Sequence, residues 1–174
     1  MFKQINWVER KFDFNFPVTV FPCIVERFRG TPARLEEMSK GLSEKTLTFK
    51  PDGKWSIKEQ IGHLIELEKL GEKRIDDFLS GAETLSAADM TNSATTEGNY
   101  NSKQINDLLK QFRSARESII KKLDKLDEKR AAIISIHPRL NQKMRIIDWV
   151  YFMSEHDDHH LTSIRLIMQS DLGN

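Results

Sequence analysis

Apolar residues along much of this chain recur with the period of an amphipathic α-helix, about 3.6 residues. One such segment opens at Ser56, where Ser56 and Glu59 have the spacing of a capping box, and it closes at Ser80 and Gly81. Its apolar positions in helical phase are Ile57, Ile61, Leu64, Ile75, Phe78 and Leu79. The pattern predicts one long helix between these boundaries.

Further segments show the same period. A long helix is expected to begin near Thr31, with Pro32 in its first turn, after a shorter helical piece over 22–29. Two more are expected over about 102–126 and about 144–170. No alternating strand pattern of any length is present. Four long amphipathic helices therefore predict an all-α four-helix bundle.

The remaining segments lack a helical period. Residues 1–20 are rich in aromatic side chains, which predicts an irregular N-terminal arm held to the body by its rings. Residues 82–101 are small and polar and predict the longest loop, and a linker covers 137–143. With 174 residues, the whole chain (1–174) is expected to form a single domain with a substantial core.

Charge and composition exclude several classes of function. The 27 Lys and Arg residues nearly balance 26 Asp and Glu residues, so nucleic-acid binding is not expected. No apolar run approaches the ~20 residues that cross a bilayer, and the N-terminus lacks the apolar core of a signal peptide. Cys23 has no partner for a disulfide and is interpreted as a small buried hydrophobe. These features predict a soluble cytoplasmic protein that does not act at a membrane.

Two histidines in the fourth predicted helix are the strongest chemical signal. His156 and His160 stand four positions apart, on the apolar stripe formed by Trp149, Met153, His156, His160, Ile164 and Ile167. At this spacing both imidazoles can reach one metal ion from one helix. The alternative is a pair of core histidines bonded to backbone or water. Burying two imidazoles is costly unless each nitrogen has a partner, and a shared cation would provide one.

A third ligand must come from another helix, and His63 is the histidine that the second helix offers. It lies at the edge of that helix's stripe, which suits a residue reaching into the bundle interior and a surface histidine equally well. His159 falls off the central stripe and is interpreted as a packing residue or a neighbour of the site. His137 precedes a proline in the linker and is given a structural role.

Two charged residues also fall on apolar stripes. Glu68 lies at the centre of the second helix's stripe, and Arg116 lies at the centre of the third helix's stripe. Buried charges need partners, so we predict that Glu68 and Arg116 form an ion pair inside the bundle. The alternative is that both side chains extend outward to water.

The motifs resemble those of a known family, the DinB-like (YfiT-like) metalloenzymes. The sequence from Trp55 to Leu64, WSIKEQIGHL, resembles the second-helix motif of that family. The sequence from Glu155 to Leu161, EHDDHHL, resembles the fourth-helix motif, and RGTPARL from Arg29 resembles the start of the first long helix. The resemblance covers most of the chain from about Pro22 onward.

The resemblance implies an up-down-down-up bundle, often a homodimer, with a divalent metal, usually zinc or nickel, held by three histidines. By motif position these are His63, His156 and His160. Some members transfer low-molecular-weight thiols such as bacillithiol, mycothiol or glutathione. Others are described as metal-dependent hydrolases, and many have no assigned reaction.

Three function classes therefore remain. A metal-dependent transferase that adds a small thiol to an electrophilic small molecule is preferred, a hydrolase using the same ion is second, and a non-catalytic metal-binding domain is third. No catalytic acid or base can be named. Glu66, Asp157 and Asp158 could orient an imidazole, although ordinary solvated carboxylates are the preferred interpretation. The loop, the linker and the arm are expected to form the pocket walls.

Overall fold

The computed structural model describes residues 4–171 and shows a mostly helical protein built as a four-helix bundle. The helices are α1 (Phe21–Arg29), α2 (Thr31–Ser39), α3 (Glu44–Thr48), α4 (Ile57–Leu79), α5 (Ser93–Glu97), α6 (Ile105–Leu123), α7 (Glu128–Ala131) and α8 (Ile146–Asp171). The strands are β1 (Ile134–His137) and β2 (Gln142–Arg145). The first bundle position is shared by α1 and α2, and α4, α6 and α8 occupy the other three.

The order of contacts along the helices gives their directions. The pairs that fix them are Glu68–Arg116 and Asp76–Lys122 between α4 and α6, Gln60–His160 and Gly71–Trp149 between α4 and α8, and Arg29–Asp124 and Glu36–Arg113 between α1–α2 and α6. Residue numbers rise together in the first set, so α4 and α6 are parallel. In the other two sets they run oppositely, so those helices are antiparallel. The topology is therefore up-down-down-up, as the family resemblance implies.

Helix α4 shows why the local sequence predicts its boundary well. The Ser56 hydroxyl accepts from the backbone N–H of Glu59, and the Glu59 carboxylate accepts from the backbone N–H of Ser56. This reciprocal pair satisfies two amides that the first turn leaves without helical partners. The boundary expected between the shorter helical piece over 22–29 and the helix beginning near Thr31 falls at Gly30.

The core consists of two apolar clusters stacked along the bundle axis. One cluster contains Phe28, Phe78 and Trp149, and the other contains Phe112 and Ile164 among its buried residues. Between the two clusters each bundle helix carries buried polar residues, namely Thr31, Glu68, Arg116, Asp157 and the histidines of α4 and α8. The apolar clusters thus enclose a polar layer in which every side chain needs a partner.

The structure differs from the sequence analysis at several places. The linker contains an antiparallel hairpin in which Ile134 pairs with Arg145 and His137 pairs with Gln142. Each strand has four residues, too few to show a period of two clearly, and Asn141 in the connecting turn has φ of 48°. The predicted long loop contains the short helix α5.

The exposure of Cys23, the N-terminal arm and the polarity of the helices can also be compared with the predictions. Cys23 is exposed, so its interpretation as a buried hydrophobe is wrong. The arm from residue 4 to 20 is irregular apart from two short 3-10 turns, and residues 1–3 of the predicted arm lie outside the described residues. Across the described part of the chain, each helix is too short or too polar to traverse a bilayer.

Candidate metal centre

Helices α4 and α8 bring His63, His156 and His160 together in the polar layer. All three side chains are buried, and one ring nitrogen from each lies within 4.8 Å of those of the other two. The Nε2 atoms of His156 and His160 are 3.1 Å apart. His63 reaches the pair because α4 lies antiparallel beside α8, which places residues near 60 opposite residues near 160.

These imidazoles are held in their neutral form. Burial lowers the pKa of His63 to about 4. Burial, together with repulsion from neighbouring cationic groups, lowers the pKa values of His156 and His160 well below the usual value near 6.5. A neutral imidazole keeps one lone pair, which is the form that binds a metal ion.

Contacts behind two of the rings determine which nitrogen faces the cluster. Nδ1 of His160 is hydrogen-bonded to the side-chain oxygen of Gln60. An amide oxygen only accepts, so this nitrogen carries the proton and the Nε2 lone pair is directed toward His156. Nδ1 of His63 lies 3.1 Å from the Thr95 hydroxyl. Both rings are thus oriented by a neighbour on a different element, as metal-binding histidines commonly are.

The donor set fits a divalent ion. Two nitrogens bound to tetrahedral zinc at 2.0–2.1 Å lie about 3.3 Å apart, close to the 3.1 Å between Nε2 of His156 and Nε2 of His160. Nδ1 of His156 is buried and has no hydrogen-bond partner among the described residues. A buried polar atom left in this state costs free energy. A cation bound to Nε2 would leave Nδ1 protonated and still without a partner, so coordination must outweigh this cost.

The three carboxylates near the histidine motifs do not contact the imidazoles. Asp157 is fully buried and accepts from Arg116 and from the Thr31 hydroxyl, so its interpretation as a solvated carboxylate is wrong. Asp158 pairs with Arg27 and Arg34 on the half-exposed face of α8. Glu66 accepts from the Tyr100 hydroxyl and pairs with Lys69. Orientation of the rings is therefore provided by an amide and a hydroxyl.

The two charged residues on the apolar stripes are brought together in the polar layer. Arg116 donates through Nε and Nη2 to both carboxylate oxygens of Glu68, at 2.9 and 2.6 Å, and through Nη1 to Asp157 at 2.7 Å. Nη1 also donates to the backbone carbonyl of Phe28 at 2.6 Å. Burial opposes the charge, but the attraction of Asp157 and Glu68 is stronger and raises the pKa of Arg116. Since Asp157 follows His156 directly, this network also fixes the backbone of α8 at the histidines.

A cavity of about 480 Å³ opens onto the three histidines. Helices α4 and α8 line its interior, and the arm, the segment after α4 and the hairpin, which the sequence predicts as pocket walls, contribute to its walls. These three segments contribute Trp7 and Val8, then Ala87, Ala88, Asp89, Met90 and Asn92, and finally His137, Pro138 and Arg139. The walls are mostly apolar, which suits a small organic ligand.

Aromatic rings enclose the histidines. Trp7 from the arm meets the edge of His156 with ring centroids 4.7 Å apart, and Trp55 lies 4.7 Å from His63. His159 lies outside the three-histidine cluster, lines the cavity, and is hydrogen-bonded through Nδ1 to Gln4. His137 lies in β1 and lines the cavity as well. The arm thus reaches the centre of the molecule and covers one side of the histidine site.

Sequence reasoning missed Gln60 and Thr95 as neighbours of the histidines. Gln60 had a usable signal, because it precedes His63 by three positions and so shares a face of α4 with it. Thr95 had none, since it belongs to a polar loop segment whose approach to α4 depends on the fold.

Comparison with known proteins agrees with this architecture. The sequence model described as the DinB superfamily matches residues 27–164. A solved structure, YfiT from Bacillus subtilis, is similar with a TM-score of 0.80 at 15% sequence identity, and the match covers 93% of each chain. That protein is described as a probable metal-dependent hydrolase with an unusual four-helix bundle topology. Comparison with curated proteins gives no match.

Proposed function

Because the chain belongs to the DinB superfamily, we propose that it holds a divalent metal ion through His63, His156 and His160 and is a metal-dependent enzyme. The observation that carries the proposal is the convergence of three buried, neutral imidazoles at the base of a cavity. Three protein ligands are the number found in catalytic zinc sites, which keep a further position open for substrate.

Imidazole ligands suit zinc, nickel, copper and iron. We propose zinc or nickel as the occupant, because these are the ions that the family resemblance implies. When bound, the ion supplies Lewis acidity that polarises a substrate group or acidifies a water or thiol. The chain contributes orientation through Gln60 and Thr95, and exclusion of water through Trp7 and Trp55. The low pKa values of the histidines keep protons from competing with the ion at neutral pH.

For the reaction, we propose transfer of a low-molecular-weight thiol to an electrophilic small molecule. Of the described residues, Asp89 is the one carboxylate that lines the cavity. Both of its oxygens already accept hydrogen bonds from Thr91 and Ser93, so it is poorly placed as a general base. A thiol needs little help of this kind, because its pKa of about 8.5 is already near neutrality.

Hydrolysis is the second candidate, and the description of YfiT as a probable metal-dependent hydrolase favours it. Both reactions would use the same histidines and the same cavity. A thiol-conjugation assay with generic electrophiles, run beside a panel of esters and amides, separates them. Metal-dependent turnover in the second panel and none in the first would reverse the order.

Metal content measured by mass spectrometry on untagged protein tests the site itself. We expect near-stoichiometric zinc or nickel in the wild type and its loss in His160→Ala, with a strong decrease in His63→Ala. His159→Ala is the matched control, since it removes a cavity histidine of the same helix from outside the cluster. Full metal content in His63→Ala would exclude the three-histidine site.

Two broader proposals concern the location and the assembly of the protein. We propose that the protein acts in the cytoplasm and assembles as a homodimer. Analytical ultracentrifugation of the purified chain tests the assembly, and a sedimentation coefficient of a 20.3 kDa monomer at all concentrations would contradict it.

A further inference from the structure

Two arginines line the cavity without an ion-pair partner among the described residues. Arg74 is buried and donates from Nε to the backbone carbonyl of Ser86 at 2.8 Å. Asp77 attracts it electrostatically, but the Asp77 carboxylate is hydrogen-bonded to the backbone N–H of Ser86. Arg139 lies in the hairpin turn with its guanidinium 5.7 Å from the Phe152 ring centroid, and its buried Nη2 atom has no hydrogen-bond partner within residues 4–171.

The two guanidinium groups repel each other. Burial, together with the nearby charge of Arg139, lowers the pKa of Arg74 to about 10 against the attraction of Asp77. Burial also lowers the pKa of Arg139. Both groups remain cationic at neutral pH, so this part of the cavity wall carries two positive charges in a partly desolvated place. The Asp89 carboxylate, which also lines the cavity, is hydrogen-bonded to Thr91 and Ser93. The pair of positive charges is unfavourable until an anion neutralises it.

His137 adds a third donor to the same wall. Its Nε2 lies 3.3 Å from Nη1 of Arg74, and its Nδ1 lies 3.3 Å from the backbone N–H of Leu140. Arginine and a backbone amide can only donate, yet a neutral imidazole must carry a proton on one of these nitrogens. When Nδ1 accepts from the backbone N–H of Leu140, Nε2 carries the ring proton. The Nε2–H group and an N–H group of Arg74 are then two donors that face each other. An oxygen acceptor within hydrogen-bonding distance of both nitrogens would satisfy both donors.

We propose that Arg74, His137 and Arg139 form a subsite for an oxyanion group, a carboxylate or a phosphate, carried by a small and otherwise apolar ligand. Guanidinium groups match the geometry of these oxyanions, and a charge-assisted bond is stronger in a desolvated cavity. Leu67, Leu70 and Met153 line the same cavity and provide the surface for the apolar part of the ligand. Only the identification of this ligand as the substrate rests on the proposed function; the oxyanion subsite itself does not.

Calorimetric titration of metal-free protein tests the subsite. The probes are hexanoate, hexylphosphonate and the neutral hexanamide, which have similar apolar chains. The protein is treated with a chelator and dialysed, so that coordination of an acid to a metal cannot contribute. We expect at least one acid to bind about tenfold more tightly than the amide or better, and the more tightly bound acid identifies the preferred oxyanion.

Arg139→Gln is the informative variant, because Arg139 is partly exposed and its loss should leave the fold intact. Arg130→Gln removes the same charge from an exposed position outside the cavity and is the matched control. We expect the preference for the acids to disappear in Arg139→Gln and to persist in Arg130→Gln. Equal affinities for acids and amide in the wild type, binding of none of them, or an unchanged preference in Arg139→Gln would overturn the inference. Since the titration is done without metal, failure of the proposed metal site leaves its outcome unaffected.

Discussion

At the scale of single residues, two of the histidines owe their orientation to side chains that lie outside the three-histidine cluster. Gln60 fixes the tautomer of His160 by accepting its Nδ1 proton, and Thr95 contacts Nδ1 of His63. Without such contacts an imidazole can rotate about its side-chain bonds and lose the convergence of lone pairs. Partners of this type commonly change metal affinity by about 10- to 100-fold.

Gln60→Leu should therefore weaken metal binding by about 10- to 100-fold while leaving the helix content unchanged. Leucine has a similar volume but offers no acceptor to the His160 N–H. Competition with a chromogenic chelator measures the affinity, and circular dichroism monitors the fold. Gln111→Leu, at an exposed position of α6, is the control. Unchanged affinity in Gln60→Leu would mean that packing alone orients His160.

At the scale of elements, the segment that carries Thr95 is placed by close packing on α4. The ring of Tyr100 lies against Gly62, and a Cβ atom added at Gly62 would come within 2.3 Å of ring carbons of Tyr100. Tyr100 also donates its hydroxyl hydrogen to Glu66, one turn further along α4. Because Gly62 directly precedes His63, the same approach brings α5 and Thr95 to the histidine ring.

Gly62→Ala should lower the free energy of unfolding by about 1–3 kcal/mol, because the added methyl group displaces the Tyr100 ring. The gain in helix propensity, up to about 1 kcal/mol, offsets part of this loss. Guanidinium denaturation measures the change. The control is Gly30→Ala, where a Cβ would meet its nearest neighbour at 3.4 Å. A Gly62→Ala protein as stable as the wild type would show that Tyr100 moves without cost.

At the scale of the whole molecule, the Arg116 network joins all four positions of the bundle. Arg116 of α6 binds Glu68 of α4, Asp157 of α8 and the carbonyl of Phe28 in α1, and Thr31 of α2 donates to Asp157. Two buried carboxylates share one guanidinium, and burial raises the pKa of Glu68. The network lies between the two apolar clusters, at the level of the bundle that also contains His156.

Arg116→Met should lower the free energy of unfolding at pH 7 by about 3–5 kcal/mol, because it leaves two carboxylates buried without a cation. The loss should shrink as the pH falls, since protonation of Glu68, whose pKa is raised by burial, removes one of the unpaired charges. Denaturation at pH 7 and pH 5 measures both effects. Arg113→Met, on the same helix as Arg116, breaks the half-exposed pair with Glu36 of α2 and should cost less than about 1 kcal/mol. An equal loss in the two variants would contradict a special role for the buried network.

The sequence alone determined the elements that depend on local rules. The capping box at Ser56 and the helical period of the apolar residues gave the bundle, because both act within a few turns of one helix. Charges at the centres of apolar stripes pointed to the Glu68–Arg116 pair, because burial forces such groups to find partners. The short hairpin escaped notice because four-residue strands carry too little pattern.

Only the tertiary structure decided which side chains meet across elements. It placed Thr95 beside His63 and Trp7 against His156. It also placed on one cavity wall two arginines that form no ion pair with a carboxylate of the described residues. In the folded chain Cys23 is exposed and Asp157 is buried, whereas the preferred interpretation of the sequence buries Cys23 and exposes Asp157 to solvent. The physical reason is that periodicity reports which face of a segment is buried, whereas the partner on the other side depends on how distant segments pack together.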